Sequence, residues 1–139
     1  LSKEEDPRRP LSPEGREETQ RMAAWLKELG LRVPEIWHST KLRAKETAEV
    51  LAEALEARTL EKEGLAPLDD PAPLAETLKS RTEDLLIAGH LPFLSRLASL
   101  LLLGDPEKEI VNFRFSGCLA LVREESWRID WFLKPDLRA

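Results

Sequence analysis

Three places in this chain set basic or imidazole side chains where an apolar run gives way to a helix. The first is Arg8-Arg9-Pro10-Leu11-Ser12, directly ahead of a well-capped helix start. The second is His38-Ser39-Thr40-Lys41-Leu42-Arg43-Ala44-Lys45-Glu46-Thr47-Ala48, and the third is Gly89-His90. Each residue alone has a bland reading: a solvated surface arginine, or a histidine that ends a strand and bonds a carbonyl. Arg43, however, falls in the first turn of a helix, where a cation opposes the helix dipole unless an anion offsets it. His90 falls at the C-terminal lip of a strand, the side of an open α/β sheet on which ligands bind, and beside a helix start whose free N–H groups favour an anion. Two arginines and a histidine converging on one sheet edge would grip the non-bridging oxygens of a phosphoryl group through forked, charge-assisted hydrogen bonds.

The elements that must position these residues follow from local signals. Leu85 to Ala88 is a short apolar run that reads as a strand buried on both faces, and Pro92 opens a helix with Leu94, Leu97, Ala98, Leu101 and Leu102 on its apolar face. Ser12-Pro13-Glu14 supplies a capping hydroxyl, a proline at the first helical position and an acid, and Gly30 closes that helix. Glu35 to Ser39 reads as a strand, 42–55 as a helix, Arg58-Thr59-Leu60 as a short edge strand and 73–78 as a further helix. Ile110 to Phe115, Cys118 to Arg123 and Trp127 to Leu133 read as strands, the last two joined as an antiparallel hairpin through Glu124-Glu125-Ser126. Strands alternating with helices predict an α/β three-layer sandwich, with a mostly parallel sheet, helices on both faces and a C-terminal antiparallel hairpin.

At 139 residues the expectation is one domain, 1–139, with 42% hydrophobic and 34% charged residues placing it among globular chains. The 21 Lys plus Arg against 26 Asp plus Glu give a formal charge of -5, so nucleic acid is not an expected partner and any anion site must be local. One cysteine and two histidines argue against a disulfide and against a metal site built on thiolates or several imidazoles. The apolar runs are too short to span a bilayer, and the polar start carries no signal peptide, so no membrane partner is expected and the plain reading is cytoplasmic.

Arg9-Pro-Leu-Ser-Pro-Glu-Gly15, His38-Ser-Thr-Lys-Leu-Arg-Ala-Lys-Glu-Thr-Ala48 and Gly89-His-Leu-Pro92 together resemble the SixA-type phosphohistidine phosphatases of the histidine phosphatase superfamily. The resemblance spans essentially the whole chain and implies the phosphoglycerate-mutase-like fold. It implies that Arg43 and Arg9 bind phosphate and that His90 is the second active-site histidine; Ser39 would orient its loop. It also implies a phosphatase without metal or other cofactor, acting on a phosphorylated protein of the histidine-containing phosphotransfer type, or on a small phosphate ester. The alternatives are a small-molecule phosphomonoesterase and a non-catalytic phosphate-binding module.

One departure is plain. The family's nucleophile is the histidine of an Arg-His-Gly-like tripeptide ending the first strand, and no Arg-His pair occurs here. Loss of a central strand would leave buried backbone groups unpaired at about 1–3 kcal/mol each. The expectation is therefore that the natural protein carries a first strand absent from this sequence. His38, at a strand end, is a remote substitute. Cys118 reads as a buried structural thiol, the four tryptophans as packing, and Asp69-Asp70 as a turn before Pro71.

Overall fold

The structure, a computed structural model, describes residues 8–108 and 117–134. Helix α1, Pro13–Glu28, starts where the sequence says it should: Ser12 is extended and its hydroxyl accepts from the Gly15 backbone N–H at 3.0 Å. Strand β1 covers Glu35–His38, helix α2 Leu42–Leu55, strand β2 Arg58–Glu61 and helix α3 Ala72–Lys79. Strand β3 runs Leu85–Ala88, helix α4 Phe93–Leu103, and strands β4 and β5 Cys118–Arg123 and Trp127–Leu133.

The sheet order is β2-β1-β3, all parallel, with His38 level with Ala88 and Glu61 at its C-terminal end. Alternation along β1 builds the layers, because successive strand residues face opposite sides. Ile36 joins Met22, Ala23 and Leu26 of α1 and Ala48, Leu51 and Leu55 of α2 on one face. Trp37 joins Leu74, Ala75 and Leu78 of α3 and Phe93 and Leu97 of α4 on the other. The antiparallel β4–β5 hairpin lays Cys118, Trp131 and Leu133 against the first of these cores. This is the expected three-layer arrangement.

Two expectations need correction. Leu85, Leu86 and Ile87 are half-buried, and of β3 only Ala88 is buried. Among the described residues β3 lies at the margin of the sheet, so one neighbour rather than two covers it. On α4 the buried positions are Phe93, Leu97, Ala98 and Ser99, while Leu94, Leu101 and Leu102 are only partly covered. Phe93 is fully buried beside Leu97 in the core with α3, and Leu94 and Leu101 pack against that core from its margin. The strand expected at Ile110 to Phe115 lies outside the described residues.

Candidate active site

The C-terminal ends of β1 and β3 bring Ser39 and His90 together although they are 51 residues apart, with Ser39 Oγ and His90 Nε2 sharing a 2.6 Å hydrogen bond. Both are buried. Ser39 also accepts from the Lys41 backbone N–H at 3.2 Å, so one hydroxyl joins the end of β1, the start of α2 and the loop after β3. His38 has another role: its Nδ1–H donates to the Ser39 carbonyl at 2.8 Å, and its buried ring supports the turn.

The start of α2 is electropositive. Lys41 is its N-cap residue, no side chain caps the helix, and its first turn holds Arg43 and no acid. Such an end is locally unfavourable until an anion arrives. The field reaches His90, whose pKa is lowered to about 4, first by burial, then by the positive charges of Arg43 and of Lys41. A buried imidazole between cations stays neutral at pH 7, and an anion placed against it would reverse the effect of that field.

Arg9 lies in the segment ahead of α1, where the Leu11 backbone N–H donates to Glu46 Oε1 of α2 at 2.8 Å. Arg9 Nε is buried with no hydrogen-bond partner among the described residues, and Arg43 Nη1 is likewise shielded from solvent. Buried guanidinium nitrogens are costly unless an acceptor meets them. An open hollow of ≈ 490 Å³ begins at Ser39 and Thr40 and extends along Lys62, Glu63 and Asp70, away from His90 and Arg43. Ser39 is thus the point where the basic lip meets the larger hollow.

The remaining candidates are structural. Burial pushes the Cys118 thiol up to about 11, which keeps it protonated. The carboxylates of Asp69 and Asp70 accept from the Ala66 and Ala72 backbone N–H groups, as a turn requires. Of the tryptophans, Trp37 is buried and the others are half-buried. No group of three or more potential metal ligands occurs among the described residues, and no described helix is long and apolar enough to cross a membrane. Sequence reasoning had passed over Lys41 and Glu46. Both lie within one turn of Arg43 in the middle motif, and that proximity was the signal that marked them.

Residues 3–69 match the family model described as histidine phosphatase superfamily, branch 1. That match takes in just under half of the chain. Solved structures extend the likeness in fold over nearly all of it. A structure of the protein histidine phosphatase SixA complexed with tungstate superposes at a TM-score of 0.84 with 24% identity, covering 99% of this chain and 91% of that one. A protein from Agrobacterium tumefaciens provisionally assigned as phosphohistidine phosphatase SixA follows at 0.79 and 20% identity, covering 97% and 89%. A similarly assigned protein from Nakamurella multipartitia reaches 0.76 at 17%, covering 97% and 90%. No curated protein sequence matches the chain at a significant level. Within this fold, Ser39, Arg43 and His90 lie at the C-terminal edge of the parallel sheet, the edge at which doubly wound folds bind ligands.

Proposed function

We propose that this chain binds a transferable phosphoryl group at the lip formed by Arg9, Ser39, Arg43 and His90, and that it serves as a phosphohistidine phosphatase acting on a phosphorylated protein. The observation that carries the reading is the state of His90: a buried, neutral imidazole fastened to Ser39, in the positive field of Arg43 and Lys41. A phosphoryl group would bring negative charge to this lip. Charge develops on its equatorial oxygens during transfer, and preorganised donors in a desolvated site stabilise that charge without reorganising.

In this reading Arg43 and Arg9 hold equatorial oxygens. His90 takes up a proton as the dianion approaches and donates it as a hydrogen bond. Ser39 keeps the imidazole oriented. A histidine on the enzyme would attack phosphorus in line, the bond to the substrate nitrogen would break, and water would then release phosphate. His38 donates its Nδ1–H to the Ser39 carbonyl and supports the turn. In this reading Arg9, Ser39, Arg43 and His90 carry the binding and charge-stabilising part of the reaction. The hollow beside Ser39 is open and suits a side chain borne on a protein surface.

The test pairs turnover with binding. The protein is expected to release phosphate from a phosphorylated histidine domain faster than from sugar phosphates; the reverse order would make it a small-molecule phosphomonoesterase. Binding of tungstate without release of phosphate would make it a phosphate-binding module. Arg43→Ala should weaken tungstate binding about 10²-fold, because two charge-assisted hydrogen bonds are worth about 3 kcal/mol together. Unchanged affinity in calorimetry would refute the lip as the anion site.

A further inference from the structure

Glu46 ties the helix that carries Arg43 to the segment that carries Arg9. It lies on α2 nearly one turn beyond Arg43, and both of its carboxylate oxygens are engaged. Oε1 accepts from the Leu11 backbone N–H at 2.8 Å, and Oε2 accepts from Arg16 Nη2 at 3.3 Å. Those partners are 35 and 30 residues away in sequence, at the approach to α1 and in its first turn. No periodicity or cap demands this contact. The side chain is largely covered, so its charge is held between the two helices rather than spread into solvent.

Two residues before Leu11 stands Arg9, with its buried Nε lacking an acceptor among the described residues. A loop with this composition, Arg8-Arg9-Pro10-Leu11, has no secondary structure of its own to aim a long side chain. The backbone bond from Leu11 to Glu46 is a long-range anchor two residues away. An anchored backbone shortens the arc over which the guanidinium can wander, and that is where affinity is gained when a flexible cation must meet a small anion.

We infer that Glu46 is a positioning residue: by holding the Leu11 backbone it presents Arg9 to the phosphoryl group bound by Arg43 and His90. The inference rests on the phosphate-binding reading above. It assigns a negatively charged side chain a favourable part in binding an anion, the opposite of what simple charge counting expects at a positive lip.

A double-mutant cycle tests it by calorimetry with tungstate and with inorganic phosphate. Glu46→Ala should weaken binding about tenfold, as the loss of one charge-assisted contact by Arg9 would. Glu46→Gln keeps an oxygen for the Leu11 N–H and should recover most of the affinity. In an Arg9→Ala background, Glu46→Ala should have no further effect. Equal losses in both backgrounds, tighter binding in Glu46→Ala, or a lowered thermal midpoint with unchanged affinity in Glu46→Gln and Glu46→Ala alike would overturn the inference. Arg43→Ala measured alongside separates the two claims. If Arg43→Ala abolishes binding and the cycle shows no coupling, only the part given to Glu46 fails. If Arg43→Ala binds normally, the underlying reading fails and the inference with it.

Discussion

The two ends of the parallel sheet both gather cations, with opposite consequences. At the N-terminal end, Glu35 accepts from Arg58 and Trp37 and also from Arg81 at 3.2 Å. Those donors, the Arg58 bond foremost, hold its carboxyl below the usual carboxylate range. Positive charge there meets a side chain that welcomes it, and Arg81 also lies over the Trp37 ring. At the C-terminal end, burial and the charges of Arg43 and Lys41 meet an imidazole and suppress its charged form. One end is a closed ion cluster fastening β1 to its neighbours. The other is a positive lip to which an anion from solution would bring negative charge. In a parallel sheet this division is expected, because helix N-termini follow the C-terminal ends of strands and add their partial positive charge there.

The comparison is broken most sharply at His90. An unfolded histidine takes up a proton near pH 6.5, whereas folded His90 does so only near 4. Between these values the unfolded chain binds more protons, so the folded state loses stability as pH falls through 6.5, and the loss levels off near 4. The gap corresponds to about 3 kcal/mol. His90→Gln should remove this dependence, which urea unfolding across the pH range would register as a flatter curve. Saturating phosphate should flatten it as well in the wild-type protein, since the anion favours the charged imidazole. A curve that keeps its shape in His90→Gln would show that the lip is no less balanced than the opposite end.

A smaller effect is expected at Ser39. Ser39→Ala removes the partner of a buried imidazole nitrogen and should cost about 1–3 kcal/mol of stability, with a loss of anion affinity because the ring is no longer held. Loss of stability with affinity intact would reduce Ser39 to a structural tie. Glu35→Gln should have the smallest effect and a different pH signature. A carboxyl held low stabilises the fold above its unfolded pKa, and that contribution fades as the pH falls through the folded value. The variant should melt slightly earlier at pH 7, approach the wild type in acid, and bind tungstate unchanged. An altered tungstate affinity would mean that the two ends are coupled.

Local signals fared well where the physics is local. Helix α2 starts and ends at the predicted Leu42 and Leu55, and β4 and β5 have the expected bounds, because caps, alternation and turn residues act within a few positions. The Ser12 cap and the antiparallel hairpin follow for the same reason. Exposure of β3 depended on how many strands lie beside it, and the rotation of α4 on which side chain fits the space under α3. Neither quantity is carried by a short window of residues. At the lip, residue types at strand and helix ends pointed to Arg43 and His90. The bond between Ser39 and His90, and the bond from Leu11 to Glu46, arise between segments that only the folded sheet makes neighbours.

By itself, the order of residues determined that strands and helices alternate, that cations and a histidine stand where those elements meet, and that the chain resembles one superfamily. Tertiary structure alone decided that burial and neighbouring charge keep His90 neutral, and that a carboxylate on a distant helix tethers the segment carrying Arg9. The reason is that a side chain's identity travels with the sequence, whereas its dielectric surroundings and its partners exist only once remote segments are packed together.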